Sequence, residues 1–238
     1  MITIFPLTTF AAVVSNGDFS EGSSGWTLNA SSEPSPYTYI HSDMSNSGFR
    51  IDIQTRSYHH DHAYPFMADE SISQNIGTVN EGDTLSFDLS IFSRGYYDSY
   101  GPMYITEMFR YMYHDLKGEV RISNNLGSQT IILDEIRDLQ MQANIPDPMY
   151  GSWDINDSSQ IQIELDTSLA GGVDTTLEIG LKGYFDLLPY PYPLMLDTIL
   201  ETTFDNIAIS NANPVPVPAA AWLFGSALMG LSVVRRKK

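Results

Sequence analysis

The residues best suited to chemistry stand together in RSYHHDHAYP, which brings His59, His60, Asp61 and His62 into four consecutive positions. Imidazole and carboxylate are good ligands for zinc or copper. In an extended segment, however, His60 and His62 face one way and His59 and Asp61 the other, so one site takes only part of the cluster. The stretch therefore reads first as a polar loop ahead of a strand at Ile72–Ile76. A second concentration is aromatic: Tyr96, Tyr97, Tyr100 and Tyr104, then Tyr111 and Tyr113, with Trp153 later. A rigid ring with a polar edge is a surface on which a sugar stacks, which makes Tyr96, Tyr97, Tyr100 and Trp153 candidate glycan contacts. The same residue types also fill sandwich cores. Carboxylates are plentiful at 29, enough to produce close neighbours by chance. There is no Gly-x-Ser-x-Gly elbow, no phosphate-binding glycine loop and no His-Glu-x-x-His. No catalytic residue is assigned, and the expectation is a protein that is not an enzyme.

The elements that must carry these residues are strands. GFRIDIQT alternates Phe49, Ile51 and Ile53 with Arg50, Asp52 and Gln54; TLSFDLSIF sets Leu85, Phe87, Leu89 and Ile91 against Ser86, Asp88 and Ser90. QIQIEL and TLEIGLKGYF repeat the device with Ile161, Ile163 and Leu165, then Leu177, Ile179 and Leu181. Period-two alternation is the mark of strands with one dry and one wet face. Turn chemistry separates them at Val79–Thr84, Ser123–Ser128 and Leu169–Asp174. Tyr104–Gly118 reads as either a helix or a strand pair, and Ile132–Gln142 has room for a short helix. The fold class expected is all-β, a two-sheet antiparallel sandwich with an apolar C-terminal helix.

The chain of 238 residues carries 12 basic and 29 acidic groups, a net charge of −17. Four of the bases are the last four residues, so the remaining 234 residues hold eight bases against the 29 acids. Such a body repels nucleic-acid phosphates and anionic lipid, so neither is an expected partner. Cysteine is absent, which excludes disulfides, thiolate sites and iron–sulfur clusters.

Two short motifs bracket the β-rich region. VSNGDFSEGSSGWTL (Val14–Leu28) resembles the opening of galactose-binding-like jelly rolls, a group that includes many carbohydrate-binding modules. SISQNIGTVNEGDTLSFDLSI resembles that group's Gln-containing strand, glycine turn and following strand, and TTFDNIAIS (Thr202–Ser210) resembles its closing strand. The resemblance implies a jelly-roll domain over 15–212 and glycan binding as one function. It also implies a structural calcium ion where the two motifs meet, with Asp18 and Asp205 as ligands and Glu21 as a further one. The residues have a reading of their own. Gly17 and Gly25 allow turns that a Cβ would obstruct, while Phe19 and Trp26 bury large apolar area. Asp205 shares parity with Ile207 and Ile209, which predicts that it faces the core and needs donors or a cation. Alternatively, Asp18 and Asp205 accept backbone N–H bonds in their turns.

The ends differ from this body. MITIFPLTTFAAVVS is apolar from Ile2 to Val14 apart from three threonines, so residues 1–14 read as a truncated signal peptide or as a first strand. At the other end, residues 213–238 join a Pro-rich stretch to an apolar run and a basic cluster. Ala219 to Val234 is 16 residues with only Ser226 and Ser232 polar, about 24 Å as a helix and just long enough to insert. Arg235, Arg236, Lys237 and Lys238 then hold the C-terminus in the cytoplasm. Proline motif, apolar span and basic end, in that order, resemble the PEP-CTERM sorting signal. Here Val215, Pro216, Val217 and Pro218 stand where that family usually has Val-Pro-Glu-Pro. The resemblance implies an exported protein of a Gram-negative bacterium, transiently anchored in the inner membrane. It further implies recognition by an exosortase-type protease and delivery to the cell surface or the extracellular matrix. There the protein would be either structural or bound to exopolysaccharide.

Overall fold

The computed structural model describes residues 11–34, 38–57, 66–99, 116–133, 150–185 and 194–210. They form ten strands: β1 (Thr27–Ala30), β2 (Thr38–Ser45), β3 (Gly48–Ser57), β4 (Phe66–Gly77), β5 (Thr84–Ser99), β6 (Lys117–Ser123), β7 (Ser128–Leu133), β8 (Tyr150–Glu164), β9 (Thr175–Phe185) and β10 (Leu194–Ser210). One short 3-10 turn, Thr167–Leu169, precedes β9. The strands pair antiparallel into two five-stranded sheets, β1-β4-β9-β6-β7 and β2-β3-β10-β5-β8, here the first and second sheet. Only β2–β3 and β6–β7 are consecutive within a sheet; every other connection crosses between sheets. This is the expected all-β sandwich.

The alternation read from sequence is the alternation observed. Phe49, Ile51, Ile53, Leu85, Phe87, Leu89, Ile91, Leu177, Ile179 and Leu181 are all buried between the sheets. Phe204 anchors the centre, its ring 6.1 Å from those of both Phe49 and Phe87. A fully buried side chain of this size is worth about 1.5–3 kcal/mol relative to leaving it in water. The three expected turns link β4 to β5, β6 to β7, and the 3-10 turn to β9. Of the two segments read with helical alternatives, Leu116 is buried just ahead of β6, Lys117 and Gly118 open β6, and Ile132 and Leu133 close β7, the rest lying outside the described residues.

One expectation is corrected. Asp205 does not face the core, although Ile207 does. A β-bulge shifts the β10–β5 register between Asp205, paired with Asp88, and Ala208, paired with Ser86. The extra residue exchanges the faces: Thr202 and Phe204 are buried on the near side of the bulge and Ile207 on the far side. Asn206 takes the left-handed conformation, φ 51°, that absorbs the insertion. Parity carried backwards from Ile207 therefore gives the wrong face for Asp205.

The apolar tail Ala219–Val234, the Val215–Pro218 motif and the basic end Arg235–Lys238 lie outside the described residues, as do residues 1–10. Among the described residues no helix is long and apolar enough to cross a membrane. Ala11 bridges to Thr78, Val13 N–H donates to the Ile76 carbonyl at 2.9 Å, and Ala12 is buried. Residues 11–13 are thus packed on the sandwich.

Candidate functional site

The junction of the two bracketing motifs is a hydrogen-bonded knot. Gly17 accepts from Ile207 N–H at 2.9 Å through its carbonyl, tying the opening segment to the last strand. A Cβ on Gly17 would stand 1.8 Å from the Ile207 carbonyl oxygen, so glycine is required there by close approach. Gly25 is required by its φ of +80°. Between them Asn16 donates to the carbonyls of Gly22 and Ser24 and accepts from Glu21 N–H. Gln74 of β4 does the same from below, accepting from Ser15 N–H and donating to the carbonyls of Ser15 and Gly25. Phe19 and Trp26 stack at 5.7 Å beneath the knot, and the indole N–H donates to the Asn16 carbonyl. Two amide side chains thus satisfy backbone groups that no sheet reaches.

Two carboxylates of the implied calcium set are bonded within turns. Asp18 Oδ1 accepts from Ser20 N–H and Oγ–H, bonds that hold its carboxyl below the ordinary aspartate value, the backbone bond foremost. Asp205 Oδ1 accepts from Asn206 N–H at 2.8 Å. Glu21 is exposed. Among the described residues no three His, Asp or Glu side chains gather at metal-holding spacing. Asp18 and Asp205 each accept a turn N–H, the alternative reading of these two residues.

The outer face of the second sheet has different chemistry. Three successive cross-strand rows run over it in the order β2, β3, β10, β5, β8. They read Tyr39–Gln54–Ile199–Arg94–Asp154, His41–Asp52–Glu201–Phe92–Asn156 and Asp43–Arg50–Thr203–Ser90–Ser158. Five strands make each row about 19 Å wide. Tyr39 is 56% exposed and its ring stacks on that of His41 at 6.0 Å and 25°. In the middle Arg50 bridges two strands, its Nε 2.9 Å from Asp52 Oδ1 and one Nη 2.8 Å from Glu201 Oε2. The Asp52 hydrogen bond leads in holding the guanidinium above its ordinary pKa, against burial, with the fields of Asp52, Glu201 and Asp43 added. Further along, Arg94 lies 5.3 Å over the Phe92 ring and pairs with Asp154 at 2.7 Å.

Register places nine carboxylates of the described strands on this face, Asp43, Asp52, Asp88, Asp98, Asp154, Glu164, Asp197, Glu201 and Asp205, against three guanidiniums, Arg50, Arg56 and Arg94. On the outer face of the first sheet, Asp69, Glu119 and Glu178 are matched by Lys117, Arg121 and Lys182. The charge of the protein is unevenly spread.

The aromatic candidates are only partly described. Tyr96 pairs with Asp197 and Ser152 and Tyr97 with Leu196 and Gly151, while Trp153 pairs with Gly95. All three therefore belong to the second sheet, at the β5–β8 end away from Asp88. Tyr100, Tyr104, Tyr111 and Tyr113 lie outside the described residues, as do His59, His60, Asp61 and His62. Tyr39, His41 and the Arg50 bridge were not singled out from the sequence. TYIHSDMS hides its alternation because Ser42 stands at an inward position and His41 and Tyr39 outward.

No family model matches the chain, and no curated protein matches it. Similarity to solved structures is found among carbohydrate-binding modules. A structure of TmCBM61 in complex with β-1,4-galactotriose is 8% identical, covers 84% of this chain and 98% of its own, and gives a TM-score of 0.33. A CBM4 structure is 12% identical over 82% of this chain and 97% of its own, at a TM-score of 0.29. The mannan-recognising carbohydrate-binding module TmCBM27 is 14% identical over 75% and 88%, at 0.26. Identities and TM-scores this low carry nothing about what this chain binds.

Proposed function

We propose that the sandwich is a non-catalytic glycan-binding domain of an exported protein, and that the glycan lies across the outer face of the second sheet. The observation that carries this reading is the exposed Tyr39–His41 ring pair standing beside the Asp52–Arg50–Glu201 bridge. An apolar ring face with fixed polar groups at its rim is the chemistry that grips a pyranose: stacking on its C–H face, hydrogen bonds to its hydroxyls. Tyr96, in register with Phe92 and Arg94 on this face, is proposed to extend the platform. Export rests on the PEP-CTERM-like order of Val215–Pro218, Ala219–Val234 and Arg235–Lys238, with an exosortase-type protease as partner and the surface or matrix as destination.

Affinity electrophoresis of the protein through gels containing soluble polysaccharides tests binding. At least one polymer is expected to retard it, and Tyr39→Ala to restore its mobility. Free migration through every gel would leave a structural matrix role as the better reading. For export, removing Ala219–Lys238 is expected to move the protein from the membrane fraction to periplasm or medium. A mature protein that keeps its tail in the inner membrane would replace sorting with simple anchoring.

A further inference from the structure

Resting on the glycan-binding reading, we infer that this face selects sugars carrying free amino groups over neutral or acidic ones. Arg50 engages one oxygen of each flanking carboxylate, Oδ1 of Asp52 and Oε2 of Glu201. That leaves the other oxygen of each as an acceptor beside the Tyr39–His41 pair. A carboxylate only accepts, so these two oxygens call for donors, and an ammonium group supplies three together with the complementary charge.

The local balance points the same way. Arg50 is faced by three carboxylates, Asp43 acting on it with Asp52 and Glu201. One positive charge therefore sits among three negative ones. Asp52 and Glu201 are also partly withdrawn from water, with side chains 14% and 29% exposed, which reduces screening of what they attract. The three-to-three balance on the opposite face shows that general acidity of the chain does not by itself produce such a surface. A uronate or sulfate ester laid here would meet like charge, which penalises binding more than a neutral hydroxyl would. An amino sugar keeps the C–H face that stacks on Tyr39 and presents its nitrogen to Glu201 and Asp52.

The test is calorimetric titration of the full chain with a glucosamine tetrasaccharide, its fully N-acetylated counterpart and a galacturonate tetrasaccharide. Roughly two- to fivefold tighter binding of the amino form is expected, as for exposed charge pairs, narrowing in high salt. No binding of the uronate is expected. Glu201→Gln should abolish the preference while retaining affinity for the N-acetylated sugar, and Glu119→Gln on the first sheet should leave it intact. Equal binding of the amino and acetylated forms, or a preference that Glu119→Gln reduces as much as Glu201→Gln, overturns the inference and leaves glycan binding standing. Absence of binding by all three sugars, joined to free migration through every polysaccharide gel, overturns the underlying reading as well.

Discussion

Both outer faces of the sandwich are made of five antiparallel strands, yet they handle charge in opposite ways. On the first sheet one lysine gathers its partners: Lys182 Nζ lies 2.7 Å from Glu178 and 3.9 Å from both Asp69 and Glu119. Ser71, buried on β4 beside β1, donates to Glu178 from the next strand. On the second sheet the guanidiniums are outnumbered, and rings stand in the open beside them. A face whose charges are paired with each other offers a ligand little. The face with surplus acceptors and an exposed ring pair is available for binding.

The largest effect expected from breaking this contrast is structural. A Cβ on Gly180, at the centre of the first sheet, would lie 2.1 Å from the Glu70 carbonyl oxygen and 2.6 Å from Ser71 Cα. Gly180→Ala forces β4 and β9 apart and should cost about 3 kcal/mol, read as a lower urea midpoint. Next in size, Tyr39→Ala should weaken glycan binding about tenfold, about 1.4 kcal/mol. Its urea midpoint should stay close to that of the parent, because the ring is exposed. Lys182→Met should do the reverse, leaving three carboxylates without their shared cation. It should cost about 1 kcal/mol of stability and leave binding unchanged.

The balanced face also has a pH signature. Burial pushes the Glu178 carboxyl up, but the Lys182 and Ser71 hydrogen bonds outweigh it and hold the folded value below the ordinary 4.5. Folding therefore binds fewer protons at this group. Its stabilisation is fully present above the ordinary value and is lost as pH falls through the lowered one. Lys182 is the mirror case: burial lowers it, the Glu178 hydrogen bond and the surrounding carboxylates raise it further, and its contribution is lost only in strong alkali. Glu178→Gln should accordingly flatten the acid limb of a stability–pH curve. The smallest effect concerns the motif junction: with the carboxylates bonded to turns, calcium and chelator should leave the melting temperature alike.

What could be read from residues depended on how regular the local pattern was. β3, β5, β8 and β9 alternate cleanly, and their buried faces were legible one residue at a time. The end of β10 was misread because a bulge adds a residue that leaves no trace in FDNIAIS beyond an Asn able to adopt φ above zero. The ring pair on β2 was missed for another reason. Stacking and salt bridging are cross-strand events, and nothing in TYIHSDMS indicates that Arg50, Asp52 and Glu201 will come alongside. Gln74 carried a fainter signal: it stands at an inward position between Ile72 and Ile76, where an amide must find backbone to bond.

The place of β10 in the second sheet has a mechanical side. It lies between β3 and β5, antiparallel to both, and the sequence continues from its end at Ser210. Tension applied through that continuation pulls along the strand axis, so the ladders on either side are loaded in shear and must give way together. An edge strand such as β8 or β2, pulled the same way, would have a ladder on one side only to resist. On the proposed reading, a domain tethered through this central strand would bear a steady pull while the sheet face beside it holds a polymer.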